Sequence, residues 1–352
     1  MEMRLATPDD LQEIGRLLPD LAGLRFQGRF PERTVVDFCR WKYDTNPLGR
    51  AAVGVAVEGG RVMSIVAGVP KLVQVGSEIF LAFEFGDFIT VRAFRRQGLF
   101  SILIRLVCDE AARRGAAFAY VRPNENSFPI LTMGLSFAEV QSIDECRYVV
   151  PSGLIHRKVG VSPELLRALG VDWLARRLFL PSSAGSVIIE PVNRFGKEMD
   201  KFWERTRRRY SFLVVRDSRY LNWRYSDSPT PYLFWVAHRS GTAAGYLTAF
   251  MNRSQTEGQI IDLFCDPEDG ETAAALLRTG METMLNAGVQ SIWTWIPQAT
   301  ADSVGQRLLK RAFPRRTKPN LHMVMRFLDT RLNASLLPSS GWHIAMGDFD
   351  GV

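Results

Sequence analysis

Residues 91–100 read VRAFRRQGLF, and they sit between a strand-like run and a helix-like run. Upstream, EIFLAFEFGDFITVR (78–92) is rich in Phe, Ile and Val, as a strand requires. Downstream, LFSILIRLVCDEAARR (99–114) has helical periodicity. Leu99, Ile102, Leu103, Leu106, Val107 and Ala111 are expected on one face, and Ser101, Arg105, Asp109 and Arg113 on the other. Gly115 is placed to end that helix. The ten residues therefore deliver a helix amino terminus directly after Gly98, with Arg95 and Arg96 beside it.

Such a terminus leaves about four N–H groups unpaired and carries the positive end of the helix dipole. A glycine allows close approach to the backbone, and arginines add charge-assisted hydrogen bonds. Strand, basic residues, glycine, helix is thus an arrangement for holding a phosphate. It is neither GxxxxGK[ST] nor GxGxxG.

Working outward, the chain repeats itself. WKYDTNP (41–47) and WRYSDSP (223–229) share Trp-[Lys/Arg]-Tyr-x-x-x-Pro. After them, AAVGVAVEGGRVMSIVAG (51–68) and LFWVAHRSGTAAGYLTAF (233–250) each read as a hairpin. Ahead of them, MRLATPDDLQEIGRLL (3–18) and VIIEPVNRFGKEMDKFW (187–203) each read as a strand followed by a helix. In the first of these, Asp9 or Asp10 is the expected cap, and Leu11, Ile14, Leu17 and Leu18 form the apolar face. The order of features predicts two related α/β domains, 1–150 and 185–352, with 151–184 connecting them. The Trp/Tyr/Pro motif reads first as a structural plug that ends a helix at a domain corner, with a wall of a substrate cleft as the alternative.

The totals agree with two cores, since single cores rarely exceed about 250–300 residues. The 352 residues carry a net charge of +7, which favours anionic partners. Basic residues cluster only at 205–209 and 311–318, so a nucleic-acid reader is not expected. Cys39, Cys108, Cys146 and Cys265 have no metal-ligand spacing and read as buried free thiols. No metal site is expected. There is no signal-peptide-length apolar stretch near the start and no run of about 18 apolar residues, so a cytoplasmic protein without membrane partners is expected.

Arg95-Arg-Gln-Gly-Leu-Phe100 resembles the pyrophosphate-binding Arg/Gln-x-x-Gly-x-Gly/Ala loop of the GNAT superfamily of acyl-CoA N-acyltransferases. The strand before it, the helix after it, FAYVRP (118–123) and NENSFPILTMGLSF (124–137) resemble the elements that surround that loop. Across the whole chain, the likeness is to tandem GNAT proteins. The resemblance implies mixed, mostly antiparallel twisted sheets flanked by helices, with acyl-CoA held in a gap between two splayed strands. It assigns Ile89, Thr90 and Val91 to the pantetheine edge. Arg95, Arg96, Gln97, Gly98, Leu99 and Phe100 would cradle the pyrophosphate, and Asn124 or Asn126 would contact CoA further along. Two positions depart from the pattern. Phe100 replaces a small residue, and Ile130 stands where a general-acid tyrosine is common.

Acyl transfer to an amine needs a base, an oxyanion donor and a proton for the leaving thiolate. Glu84 and Asp87 are the candidate bases, with a structural carboxylate or a water relay as the alternative. Three residues apart, they face opposite sides of a regular strand unless a bulge occurs at Gly86. Burial among Phe83, Phe85 and Phe88 is expected to raise the Glu84 pKa. Backbone N–H at or near Ile89 is the candidate oxyanion donor, and Tyr120 and Tyr148 are candidate acids. His156, His238, His322 and His343 read as structural or exposed. At the matching place in the second half, Asp266-Pro-Glu-Asp-Gly270 is acidic and should repel a pyrophosphate, so one CoA per chain is expected. The expected activity is N-acyl transfer, with acetyl-CoA as the default donor, to an amine of a small molecule, sugar or peptide. A non-catalytic acyl-CoA-binding or interaction module is the alternative, and a longer-chain or aminoacyl donor a third. The acceptor pocket is expected to involve Leu21–Arg33 and the domain junction.

Overall fold

The computed structural model describes residues 1–25, 32–182, 185–298, 303–329, 331–333 and 337–349. In the first half, β1 (Glu2–Leu5) leads through α1 (Leu11–Arg25) and α2 (Glu32–Asp44) to a hairpin of β2 (Ala52–Glu58) and β3 (Arg61–Val75). Then follow β4 (Glu78–Thr90), α3 (Leu99–Arg113), β5 (Phe118–Val121), α4 (Phe128–Gly134) and β6 (Ala138–Val149). Three short helices come next, α5 (Pro151–Val159), α6 (Pro163–Ala168) and α7 (Val171–Phe179). The second half repeats the order. It has β7 (Ile188–Pro191), α8 (Glu198–Thr206), β8 (Phe212–Val214), α9 (Ser218–Leu221) and the hairpin β9 (Leu233–Arg239) to β10 (Thr242–Met251). It ends with β11 (Glu257–Cys265), α10 (Gly270–Asn286), β12 (Ser291–Pro297), α11 (Val304–Ala312) and β13 (Arg315–Phe327).

The strands form one sheet in the order β1-β2-β3-β4-β5-β13-β6-β12-β11-β10-β9-β7, with β8 on β3. Read from its middle, the order is the same in both directions: β13 beside β5 mirrors β6 beside β12. Each half lends its last strand to the other, so residues 138–149 lie next to the second half's β12. All neighbours are antiparallel except β4/β5 and β11/β12. Parallel neighbours need a long crossover, which α3 and α10 supply.

Local chemistry explains the elements. The Asp10 carboxylate accepts the Thr7 N–H at 2.7 Å and closes the turn that starts α1. Leu11, Ile14, Leu17 and Leu18 are buried as expected. On α3 the buried face is rotated from the expected one: Ile104 and Cys108 are inside, while Ile102 is 43% exposed. All four cysteines are buried and free.

Aromatic residues from both halves share the central core. Trp41 and Trp223 stack with ring centroids 5.3 Å apart. Each indole N–H donates to the other residue's backbone carbonyl, at 2.6 and 3.3 Å. The repeated motif is therefore the self-complementary joint between the halves.

Candidate functional site

β4 pairs with β5 only as far as Glu84 opposite Tyr120. Beyond that point β4 runs on to Thr90 with no strand on its β5 side among the described residues, which leaves a wedge. Val91 N–H bonds Met63 O, and the Ser64–Thr90 and Ile65–Ile89 register follows from it. Antiparallel alternation therefore turns the polar backbone of Ile89 and Val91 toward β3, and that of Thr90 toward the wedge. The Thr90 carbonyl accepts Arg95 Nε at 3.0 Å.

At the end of the wedge the chain makes two left-handed turns, at Arg96 (φ 63°) and Gly98 (φ 78°), before α3 begins. Gly98 is the residue before the first helical position, and a Cβ built there would meet nothing within 4 Å. Open space above the first turn of a fifteen-residue helix, with Arg95, Arg96 and Gln97 exposed around it, is what an anion site requires. Leu99 is buried. The Phe100 ring packs edge-on against Phe88 at 5.0 Å, so the bulky side chain is accommodated within the protein.

Both carboxylates lie on β4 near the wedge. Ala67 opposes Gly86 and Ile65 opposes Ile89, so Val66 faces two residues, Asp87 and Phe88. This bulge puts Asp87 in the left-handed region at φ 52°, a conformation that aspartate tolerates better than most side chains. Lys42 Nζ and Tyr43 Oη, from α2, both reach Asp87 Oδ2, at 2.6 and 2.8 Å. The Lys42 side chain is wholly buried and the Asp87 side chain is 11% exposed. Burial first, and the Asp87 carboxylate second, hold the Tyr43 hydroxyl protonated far above its usual range. Glu84 is buried at the apex. A Cβ at Gly86 would lie 3.6 Å from Glu84 Oε1 and 4.0 Å from Lys42 Nζ, so the two carboxylates share one neighbourhood.

The second half has the same wedge with different contents. β11 and β12 pair only up to Gln259 opposite Trp293. A cavity of about 480 Å3 lies beyond, lined by Tyr210, Trp295, Trp342 and His343 among others. Here Tyr225 Oη reaches Asp262 Oδ2 at 3.4 Å, as Tyr43 reaches Asp87. Burial pushes the Asp262 carboxyl up, but Arg216 and the bonds from His343 and Tyr246 hold it well below the usual range. At the helix start, the Asp269 carboxylate accepts the Thr272 N–H at 3.0 Å, and Arg209 and Arg239 pair with the surrounding acids. The place that is open in the first half is closed here by side chains of the protein itself.

No family model and no curated protein matches the sequence. Solved structures do match. One is a conserved protein of unknown function from Enterococcus faecalis, described as a probable N-acyltransferase (TM-score 0.63, 15% identity, 93% of this chain and 72% of that chain). A second is a GCN5-related N-acetyltransferase from Anabaena variabilis (0.61, 10%, 93% and 73%). A third is Saccharomyces cerevisiae N-myristoyltransferase with bound myristoyl-CoA (0.60, 12%, 93% and 82%). The chain has the GNAT fold.

Within that GNAT fold, Asn124 is exposed and spends its Oδ1 on the N–H groups of Asn126 and Ser127, at 3.0 and 2.9 Å. Asn126 is exposed on the same turn. Tyr120 flanks Glu84, and its hydroxyl donates to Asp348 O at 3.2 Å. Tyr148 packs against Phe179 in the second half's core, away from the GNAT wedge, and burial raises its hydroxyl to about 12. All of Leu21–Arg33 lies outside the residues whose side chains are described. Sequence reasoning missed Lys42 and Tyr43 as partners of Asp87. Their one signal is the repeated Trp-[Lys/Arg]-Tyr motif, whose spacing points to a structural plug and not to a carboxylate partner.

Proposed function

We propose that this chain is an acyl-CoA-dependent N-acyltransferase working from the wedge of its first half, with an acetyl group as the first donor to test. The observation that carries this reading is the open start of α3 beyond an unpaired β4 edge, with a carboxylate at the bulge between them. The main-chain N–H groups at 98–101, together with Arg95 and Arg96, would hold the pyrophosphate, and Thr90 would offer its backbone to the pantetheine. The thioester supplies an activated acyl carbon.

Asp87 takes the proton that the acceptor amine loses as its nitrogen bonds that carbon. Lys42 and Tyr43 both bind Oδ2, so they fix the carboxylate while Oδ1 makes no hydrogen bond among the described residues. Two donors on one carboxylate oxygen fix its orientation toward the incoming amine. Glu84, deeper at the apex, supports the charge balance around Lys42. The proton for the leaving thiolate comes from solvent, since Ile130 has no proton to give. The amine of a small molecule, sugar or peptide is the proposed acceptor.

The test is thiol release from acetyl-CoA and from longer acyl-CoAs across a panel of amines. All four of the protein's own thiols are buried, so a control without acyl-CoA sets the background. Amine-dependent release supports the reading. Acyl-CoA binding without release for any amine would make the chain a non-catalytic acyl-CoA-binding module instead.

A further inference from the structure

Six of the thirteen most exposed large apolar side chains among the described residues fall within twenty positions of the connecting segment. They are Val159, Leu165, Leu169, Trp173, Leu174 and Leu178, each more than half exposed, with Leu169 at 70% and Trp173 at 65%. Helices α5, α6 and α7 pack on one another as a small layer, turning inward on Ser152, Leu166 and Ala175. Leu165 on α6 and Leu169, the residue just after that helix, are one turn apart. On α7, Trp173, Leu174, Arg177 and Leu178 share one exposed face. Isolated exposed leucines are ordinary, but this concentration marks a contact surface.

The same segment is basic. Residues 151–179 hold five Lys or Arg against two carboxylates. Of the acids, Asp172 is used inside the layer by the Ser152 N–H and hydroxyl, at 2.9 and 2.7 Å, and both acids lie 3.9 Å from the Arg167 guanidinium. Arg157, Lys158, Arg167 and Arg177 are exposed. Among the described residues, no helix is long and apolar enough to cross a membrane.

Against the expectation of no membrane partner drawn from the sequence, we infer that the outer face of α5–α7 docks on an anionic phospholipid surface. Leucines and an indole bury in the headgroup boundary while arginine and lysine meet the phosphates. A second copy of this chain fits less well. A twofold contact sets a surface against itself and would bring Arg157, Lys158 and Arg177 of both copies together. The inference stands apart from the proposed chemistry, because no residue of the wedge lies in this layer.

Cosedimentation of the full chain with vesicles tests it, using phosphatidylcholine alone and phosphatidylcholine mixed with phosphatidylglycerol. The chain should bind the mixed vesicles and not the neutral ones, with binding that weakens as salt rises. The triple variant Trp173→Ser/Leu174→Ser/Leu178→Ser should bind roughly tenfold more weakly or worse. Arg157→Glu/Lys158→Glu should lose binding independently. Because these side chains are exposed, thermal unfolding should be unchanged and acyl transfer to a soluble amine retained. Failure of the parent to bind mixed vesicles, or binding as tight as the parent's by either variant, would overturn the inference. So would a sedimentation-velocity dimer that the triple variant converts to monomer, since the face would then join two copies.

Discussion

Trp41 and Trp223 hold each other through two indole N–H to backbone carbonyl bonds across 182 residues of sequence. The two bonds are related as the halves are related, and the rings stack at 22° between planes. Both side chains are buried, so the pair removes a large apolar area from water and leaves neither N–H unpaired. Truncating either tryptophan to alanine should cost about 3–5 kcal/mol in urea unfolding. The double variant should cost clearly less than the sum of the singles, because they share one contact. Strict additivity would mean that the two residues act separately.

Lys42 and Asp87 form the second relationship that can be tested by substitution. Lys42→Met leaves the Asp87 carboxylate without its buried counter-ion and should destabilise by about 3–5 kcal/mol. Lys42→Met/Asp87→Asn should recover much of that loss, since no charge is then stranded. Asp87→Asn should keep CoA affinity and lose about 100-fold or more in turnover, whereas Glu84→Gln should lose far less. Calorimetry and initial rates on the same preparations separate binding from chemistry.

Asp269 tests the expectation that the second wedge holds no phosphate. Its carboxylate caps α10, so Asp269→Ala should cost about 1 kcal/mol of stability. It should not create CoA binding, because Asp266 and Glu268 remain with Arg209. A second CoA site appearing in this variant would contradict the account.

Asp262 should shape the acid limb of stability. Its pKa is depressed in the folded chain, so its contribution is complete above the ordinary aspartate value of about 4 and is lost as pH falls through and below it. Asp262→Asn should therefore flatten the fall in urea midpoint below about pH 4, relative to the parent. An unchanged acid limb would show that other carboxylates dominate it.

Much of this was legible because it rests on local chemistry. Gly98 with its flanking arginines, the two hairpins and the Trp/Tyr/Pro repeat are each written within a few residues. The bulge beside Gly86 was readable as a condition for Glu84 and Asp87 to share a side. The exchange of β6 and β13 was not legible, because a strand's alternation shows which face is buried and not which strand lies beside it. The Lys42–Asp87 pair joins residues 45 apart through the packing of α2 on β4, and neither residue signals the other. On α3, Ile104 and Cys108 displaced Ile102 from the core because the helix packs against β2 and β3 as well as β4. The outer face of α5–α7 is not legible in the sequence, because exposure of leucines is a property of the packed chain and not of composition.

The central claim is one acyl-CoA cradle per chain, at the start of α3. Titration calorimetry with CoA measures it most directly, on the parent chain and on Arg96→Glu. One site is expected in the parent, with a loss of about tenfold or more in affinity in the variant, where a repelling charge replaces an attracting one. Two equivalent sites, or an affinity that Arg96→Glu leaves unchanged, would contradict it.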